Sequence, residues 1–248
     1  MAKSTTPHAG ASELMTEDMS FLDGMEGQGL DTITANEQAV GYLSMVQPGS
    51  SAESEENPAG TWRNTATGEN YGEIVKVVPV AFRTIWSERS NEPPFGTVGR
   101  YAPGQIQVKT VLPKNGKGYP KMINPETDNE VQELYVYAVM LPEHPEAGVL
   151  YFNPTVGSMR ACKAWNTMLK TALLPNGAHA PIFGFCWNLQ LELVQNPQKP
   201  TEKIARFTRA FKDTIVPKDL FVDNIKPQLE FIEKEVLSIT SSIESVEE

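Results

Sequence analysis

Reactive side chains are scarce in this chain. Its 248 residues hold two cysteines, Cys162 and Cys186, and three histidines, His8, His144 and His179. Two thiols cannot build a disulfide scaffold, so a reducing cytoplasm is the expected setting. No CxxC or HxxxH spacing supports a metal site drawn from Cys162, Cys186 and His179, and no nucleophile elbow is present. Gly116 and Gly118 fall in no phosphate-loop or dinucleotide pattern. The chain is therefore expected to use no cofactor and no metal, and not to be an enzyme; a catalytic role would need His144 or His179. Long apolar runs are missing too. The longest, residues 77–82 and 135–141, have strand length and are too short to span a bilayer. The start, Met1-Ala-Lys-Ser-Thr-Thr-Pro, lacks the apolar stretch of a signal peptide, and no membrane association is expected.

Charge is plentiful, and it is sorted by position. Residues 1–59 carry net −9, residues 60–218 net +5, and residues 219–248 net −6. A pI near 4.9 argues against a polyanionic ligand, but that average conceals a basic middle between two acidic ends. A hydrophobic share of 40% suits a packed core, and the middle segment is long enough to bury one.

Residues 1–36, rich in Gly, Ser, Thr and acid, read as a flexible acidic arm. Residues 39–46 can dock on the core as a strand, and 47–60 form a polar linker. Thr67-Gly68 predicts a tight turn. Residues 73–87 are dense in β-branched and aromatic side chains and give the strongest strand, bent or bulged at Pro79. A Pro/Gly loop, 91–104, leads to a second strand at 105–112. A basic turn at 114–121 precedes a third strand at 131–141, and Val149–Phe152 adds a short one. Met159, Cys162, Trp165, Leu169 and Ala172 share one face of a helix over 156–173, capped by Thr155 or Ser158. Residues 182–194 alternate as a fourth strand. Residues 203–212 fit either a helix or a fifth strand. Residues 219–239 read as an acidic helix that runs into an acidic tail. The class is mainly β with one or two helices. The order strand, strand, strand, helix, strand, strand is that of a five-stranded OB-fold-like barrel, here spanning 37–218 between the arm and the 219–248 helix and tail.

Binding chemistry is better represented than catalysis. Single-stranded nucleic acid needs cations for its phosphates and aromatic faces for its bases. Arg83 and Trp86 stand beside Arg89, and Arg100 precedes Tyr101. Lys109 lies in the second strand; Lys114, Lys117 and Lys121 surround Tyr119. Tyr135 and Tyr137 share a face of the third strand, and Arg206-Phe207 and Arg209 repeat the pairing. The DNA-binding candidates are thus Arg83, Trp86, Arg100, Tyr101, Lys109, Lys114, Lys117, Tyr119, Lys121, Tyr135, Arg206, Phe207 and Arg209. Strands bury aromatics in any case, so Trp86, Tyr135 and Tyr137 are core candidates as well, and Trp165 on its apolar stripe reads as core.

Trp62-Arg-Asn-Thr-Ala-Thr-Gly-Glu-Asn-Tyr-Gly, followed by Val77-Val-Pro-Val, resembles a group of bacteriophage-encoded proteins associated with single-stranded DNA binding in phage replication and recombination. The resemblance runs from residue 39 to 211 and takes in Leu43-Ser-Met-Val-Gln47 and 151–165. It implies an OB-fold, cooperative coating of exposed strands by a protein able to form homo-oligomers, and action in the cytoplasm of an infected bacterium. It also implies an acidic C-terminus that recruits phage or host replication and recombination proteins, with Glu244, Glu247 and Glu248 as the contact residues. The last residues, Ser245-Val-Glu-Glu248, lack the aromatic end of many such tails. The rival expectation is a non-enzymatic phage interaction protein whose acidic ends are the active part: a host-factor inhibitor, a DNA mimic or a virion component.

Overall fold

The computed structural model describes residues 41–112, 120–197 and 199–229. The arm, the turn residues Lys114, Lys117 and Tyr119, and the tail with Glu244, Glu247 and Glu248 lie outside the described residues.

Eleven strands occur among the described residues, in sheets of three and eight, against the five of the predicted barrel. They are β1 (Leu43–Met45), β2 (Trp62–Asn64), β3 (Asn70–Gly72), β4 (Ile74–Arg89), β5 (Thr97–Tyr101), β6 (Lys109–Val111), β7 (Lys121–Ile123), β8 (Glu130–Met140), β9 (Val149–Phe152), β10 (Phe185–Asn196) and β11 (Lys199–Ile215). Helix α1 (Met159–Thr171) lies between β9 and β10, and α2 (Lys218–Leu220) follows β11 and continues helically to residue 229. No helix among the described residues is long and apolar enough to cross a membrane.

β1, β2 and β3 form one sheet. The other eight strands form a second, ordered β11-β10-β4-β8-β7-β6, with β5 on β4 and β9 on β8. β4 is long enough to belong to two neighbourhoods. Its first residues pair with β10, and from Val78 onward it pairs with β8. The register slips between Pro79 and Ala81, where a proline with no N–H to donate is accommodated by a bulge. Residues 203–212, open between helix and strand in the sequence, lie within β11. The second strand shrinks to Lys109–Val111, and the loop expected at 91–104 contains β5.

The main core collects the large rings. Trp62, Tyr137, Phe152, Trp165, Trp187 and Phe207 are essentially inaccessible. Trp165 comes from α1; of the predicted stripe, Cys162, Trp165 and Ala172 are buried and Met159 and Leu169 pack partly buried against the core, which Ala161 joins. The Trp165 ring stacks on Tyr137 at 4.6 Å, and the Tyr137 hydroxyl donates to Asn166 Oδ1 at 2.8 Å. A second cluster lies on the other side of the sheet. Val78, Val80, Ala138, Met140 and Cys186 pack there with Ile225, Phe221 and Leu229 of the C-terminal helix.

β11 ends the sheet path, yet two of its edge amides are occupied by side chains. Ala205 N donates to Gln47 Oε1 at 3.0 Å while Gln47 Nε2 donates to Ala205 O at 2.9 Å. Phe207 N donates to Ser158 Oγ at 3.1 Å. The same N-terminal segment touches β9 through a parallel bridge between Tyr42 and Tyr151.

Candidate nucleic-acid interface

Beyond the core, β4 and β8 continue together as a wing flanked by β5 on one side and by β7 and β6 on the other. Cross-strand pairing sorts its side chains by face, because directly paired residues share a face and successive residues alternate. One row runs Thr97, Arg89, Glu130, Ile123, Lys109 across β5, β4, β8, β7 and β6. The next holds Arg100, Ser87 and Gln132, then Ile85 with Leu134, then Arg83 with Val136. This outer face is continuous with Ala81, Ala138 and Tyr151, which the C-terminal helix covers. The opposite rows are Tyr101, Trp86, Glu133, then Thr84 with Tyr135, then Phe82 with Tyr137 and Phe152. That inner face runs into the main core.

The structure therefore brings Arg83, Arg100, Lys109 and Lys121 together on the outer face and adds Arg89. Arg89, Arg100, Lys109 and Lys121 are exposed and Arg83 is half-buried. Among the described residues, Arg83, Arg100 and Lys109 form no ion pair, whereas Lys121 pairs with Glu130. That bond holds the Glu130 carboxyl below its ordinary value despite partial burial.

The predicted stacking rings are not with these cations. Trp86 and Tyr101 lie half-buried on the inner face, and Tyr135 is buried there against Phe82 at 5.4 Å. Phe207 is corrected from a stacking candidate to a core residue. It is 1% exposed and wedged among Trp62, Phe152 and Trp165, because its strand turns it inward. Its neighbour Arg206 points the other way and lies against Gly157, its Nε buried without a partner among the described residues. Arg209 sits on the outer surface of the β10–β11 hairpin, 4.6 Å over the ring of half-exposed Phe211 and bonded to Gln190. Both lie on strands away from the wing.

What stiffens the wing is a residue that the sequence does not advertise. Glu88, 1% exposed on β4, accepts hydrogen bonds from Asn124 Nδ2 (3.1 Å), Asn129 Nδ2 (2.8 Å), Thr127 and the Tyr101 hydroxyl. Burial alone would raise its pKa, but together these donors hold it below the ordinary carboxylate value. One buried carboxylate thus ties β5 and the β7–β8 turn to β4. The sequence reading also passes over Phe95, 74% exposed in the β4–β5 loop. Its Pro/Gly surroundings read only as a turn.

Elsewhere, His144 Nδ1 lies 3.3 Å from Glu69 Oε1 and 3.4 Å from Glu146 Oε1, and donor atoms of all three fall within 4.8 Å of one another. Tyr71 donates to Glu69 Oε2 at 3.1 Å and packs its ring on His144. The group links the β2–β3 hairpin to the β8–β9 loop through the His144–Glu69 contact and the Tyr71–His144 ring contact. Cys162 and Cys186 lie in clusters on opposite sides of the sheet and His179 is exposed, so these three do not converge.

A family model described as "Pam3 phage gp34-like protein" matches residues 10–224. No curated protein and no solved structure matches the chain.

Proposed function

The chain belongs to the Pam3 phage gp34-like family, and from that premise we propose that this phage protein binds single-stranded DNA. The observation that carries the reading is the outer face of the wing, where Arg83, Arg89, Arg100 and Lys109 stand together with Lys121. Glu130 opposes Lys121 and faces Arg89, but Arg83, Arg100 and Lys109 form no ion pair among the described residues, which leaves cations on this face open to an anion. A linear polyanion fits a row of cations spread over neighbouring strands.

The strand pairings lend support. β11-β10-β4-β8-β9, with α1 between β9 and β10, follows the order of an OB-fold, and residues flanking β1 contact β9 through Tyr42 and β11 through Gln47. In this reading the protein coats exposed strands during phage replication or recombination, and its acidic C-terminus recruits replication proteins.

The test is fluorescence anisotropy on labelled oligo-dT of roughly 30 nucleotides, against duplex DNA, across a salt series. Tight binding to the single strand and weak binding to duplex are expected. The logarithm of affinity should fall with that of salt by about 0.7 per phosphate contacted. Absence of binding at low salt, with residues 230–248 also removed, would overturn the reading and turn attention to a protein target of the acidic ends.

A further inference from the structure

We propose that the β4–β5 loop is a seat for one nucleobase, with Phe95 as the stacking ring. This rests on the single-stranded DNA reading above and deepens it. The cationic outer face, as the sequence reading left it, has phosphate partners and no ring, because Trp86, Tyr101 and Tyr135 all turn to the inner side. Phe95 supplies the missing ring on the correct side. It lines a concavity with Arg89, Glu130 and Gln132, three residues of the outer-face rows, and with Asn91. The concavity measures about 250 Å³, below the roughly 300 Å³ at which drug-sized pockets begin, and so suits a single planar group.

The loop is built rather than loose. Ser90 N donates to Gly96 O at 2.9 Å, closing it at the neck, and Ser90 Oγ donates to Glu92 O at 2.6 Å. Asn91 N donates to Asn129 Oδ1 at 3.2 Å, and Asn91 Nδ2 donates to the Asp128 carbonyl. Asn129 is itself held by Glu88. Two prolines, Pro93 and Pro94, fix φ immediately before the ring. A large apolar side chain is thus held 74% exposed by a braced loop, and it has no ring contact among the described residues. The ring therefore presents a face open to a planar ligand. Beside Arg89, in reach of a strand whose phosphates follow Arg100 and Lys109, the face that fits is a base. Stacking tolerates any base.

The experiment uses the full chain and two labelled probes of equal length, oligo-dT and an abasic oligomer that keeps the phosphates and lacks the bases. Wild-type protein should bind oligo-dT more tightly than the abasic probe. Phe95→Ala should bind oligo-dT about tenfold more weakly, within the range for one stacked base, and bind the abasic probe as wild type does. Phe95→Trp should restore affinity, and its added indole fluorescence should be quenched by oligo-dT. If Phe95→Ala keeps full affinity while Arg100→Ala/Lys109→Ala loses it, the base seat is wrong and the phosphate interface stands. If wild-type protein binds neither probe, the DNA reading falls and the seat with it. Because Phe95 is 74% exposed and lies outside the core, the Ala variant should melt with the wild type.

Discussion

Arg100 and Tyr101 are adjacent in the chain and lie on opposite faces of the wing, Arg100 beside Ser87 and Tyr101 beside Trp86. A strand of DNA following the cations therefore cannot also stack on Tyr101 without crossing the sheet edge. Arg100→Ala/Lys109→Ala should weaken oligo-dT binding and flatten the salt dependence by about 1.4 in slope, two contacts at ~0.7 each. Trp86→Leu, which removes an inner-face ring, should leave affinity within about twofold. A loss as large as that of the double variant, read by anisotropy, would show that the inner face takes part.

Glu88→Gln should destabilise the wing. The substitution turns an acceptor-only group into one that presents an N–H₂ to a ring of donors, at a cost of about 1–3 kcal/mol. The native carboxyl is held below its ordinary value of 4.5, so its contribution is full above that pH. It is lost as pH falls through the lowered folded value. Thermal melts of the two proteins across pH should differ at neutrality and converge below pH 4.5.

Trp165→Ala should cost about 3–5 kcal/mol, the range for a fully buried aromatic, read as a shift in the urea midpoint. Trp165→Phe should cost less than half as much. It keeps a ring against Tyr137 and removes an indole N–H that is buried without a partner among the described residues.

Neither thiol should react in the native protein. Both are buried, and burial pushes Cys162 up to about 12 and raises Cys186 as well. A disulfide reagent at pH 8 should titrate no thiol in buffer and both in guanidinium. Fast reaction of either in buffer would mean that its cluster opens readily.

Local patterns carried far into this fold. The period of α1, the strand at Val149–Phe152 and the irregularity at Pro79 are written in short stretches of sequence, and each is where it was expected. β5 was not legible, because Gly96, Gly99 and the paired prolines around it spell a loop, and its pairing with β4 is what makes it a strand. The candidate cations and rings were legible as residue types and not in arrangement. Cations and rings adjacent in sequence looked like partners, yet on a strand adjacency means opposite faces, as Arg206 and Phe207 also demonstrate. Glu88 gave no local sign at all, since its partners lie 13 to 41 residues away along the chain.

Gln47 and Ser158 give β11 a border that other chains cannot easily use. A terminal strand normally offers its free amides and carbonyls to any extended peptide, including a second copy of itself. Here that docking strip is already taken at Ala205 and Phe207, by side chains that have no strand of their own to propagate. Association between copies is thereby steered away from open-ended sheet extension at this border.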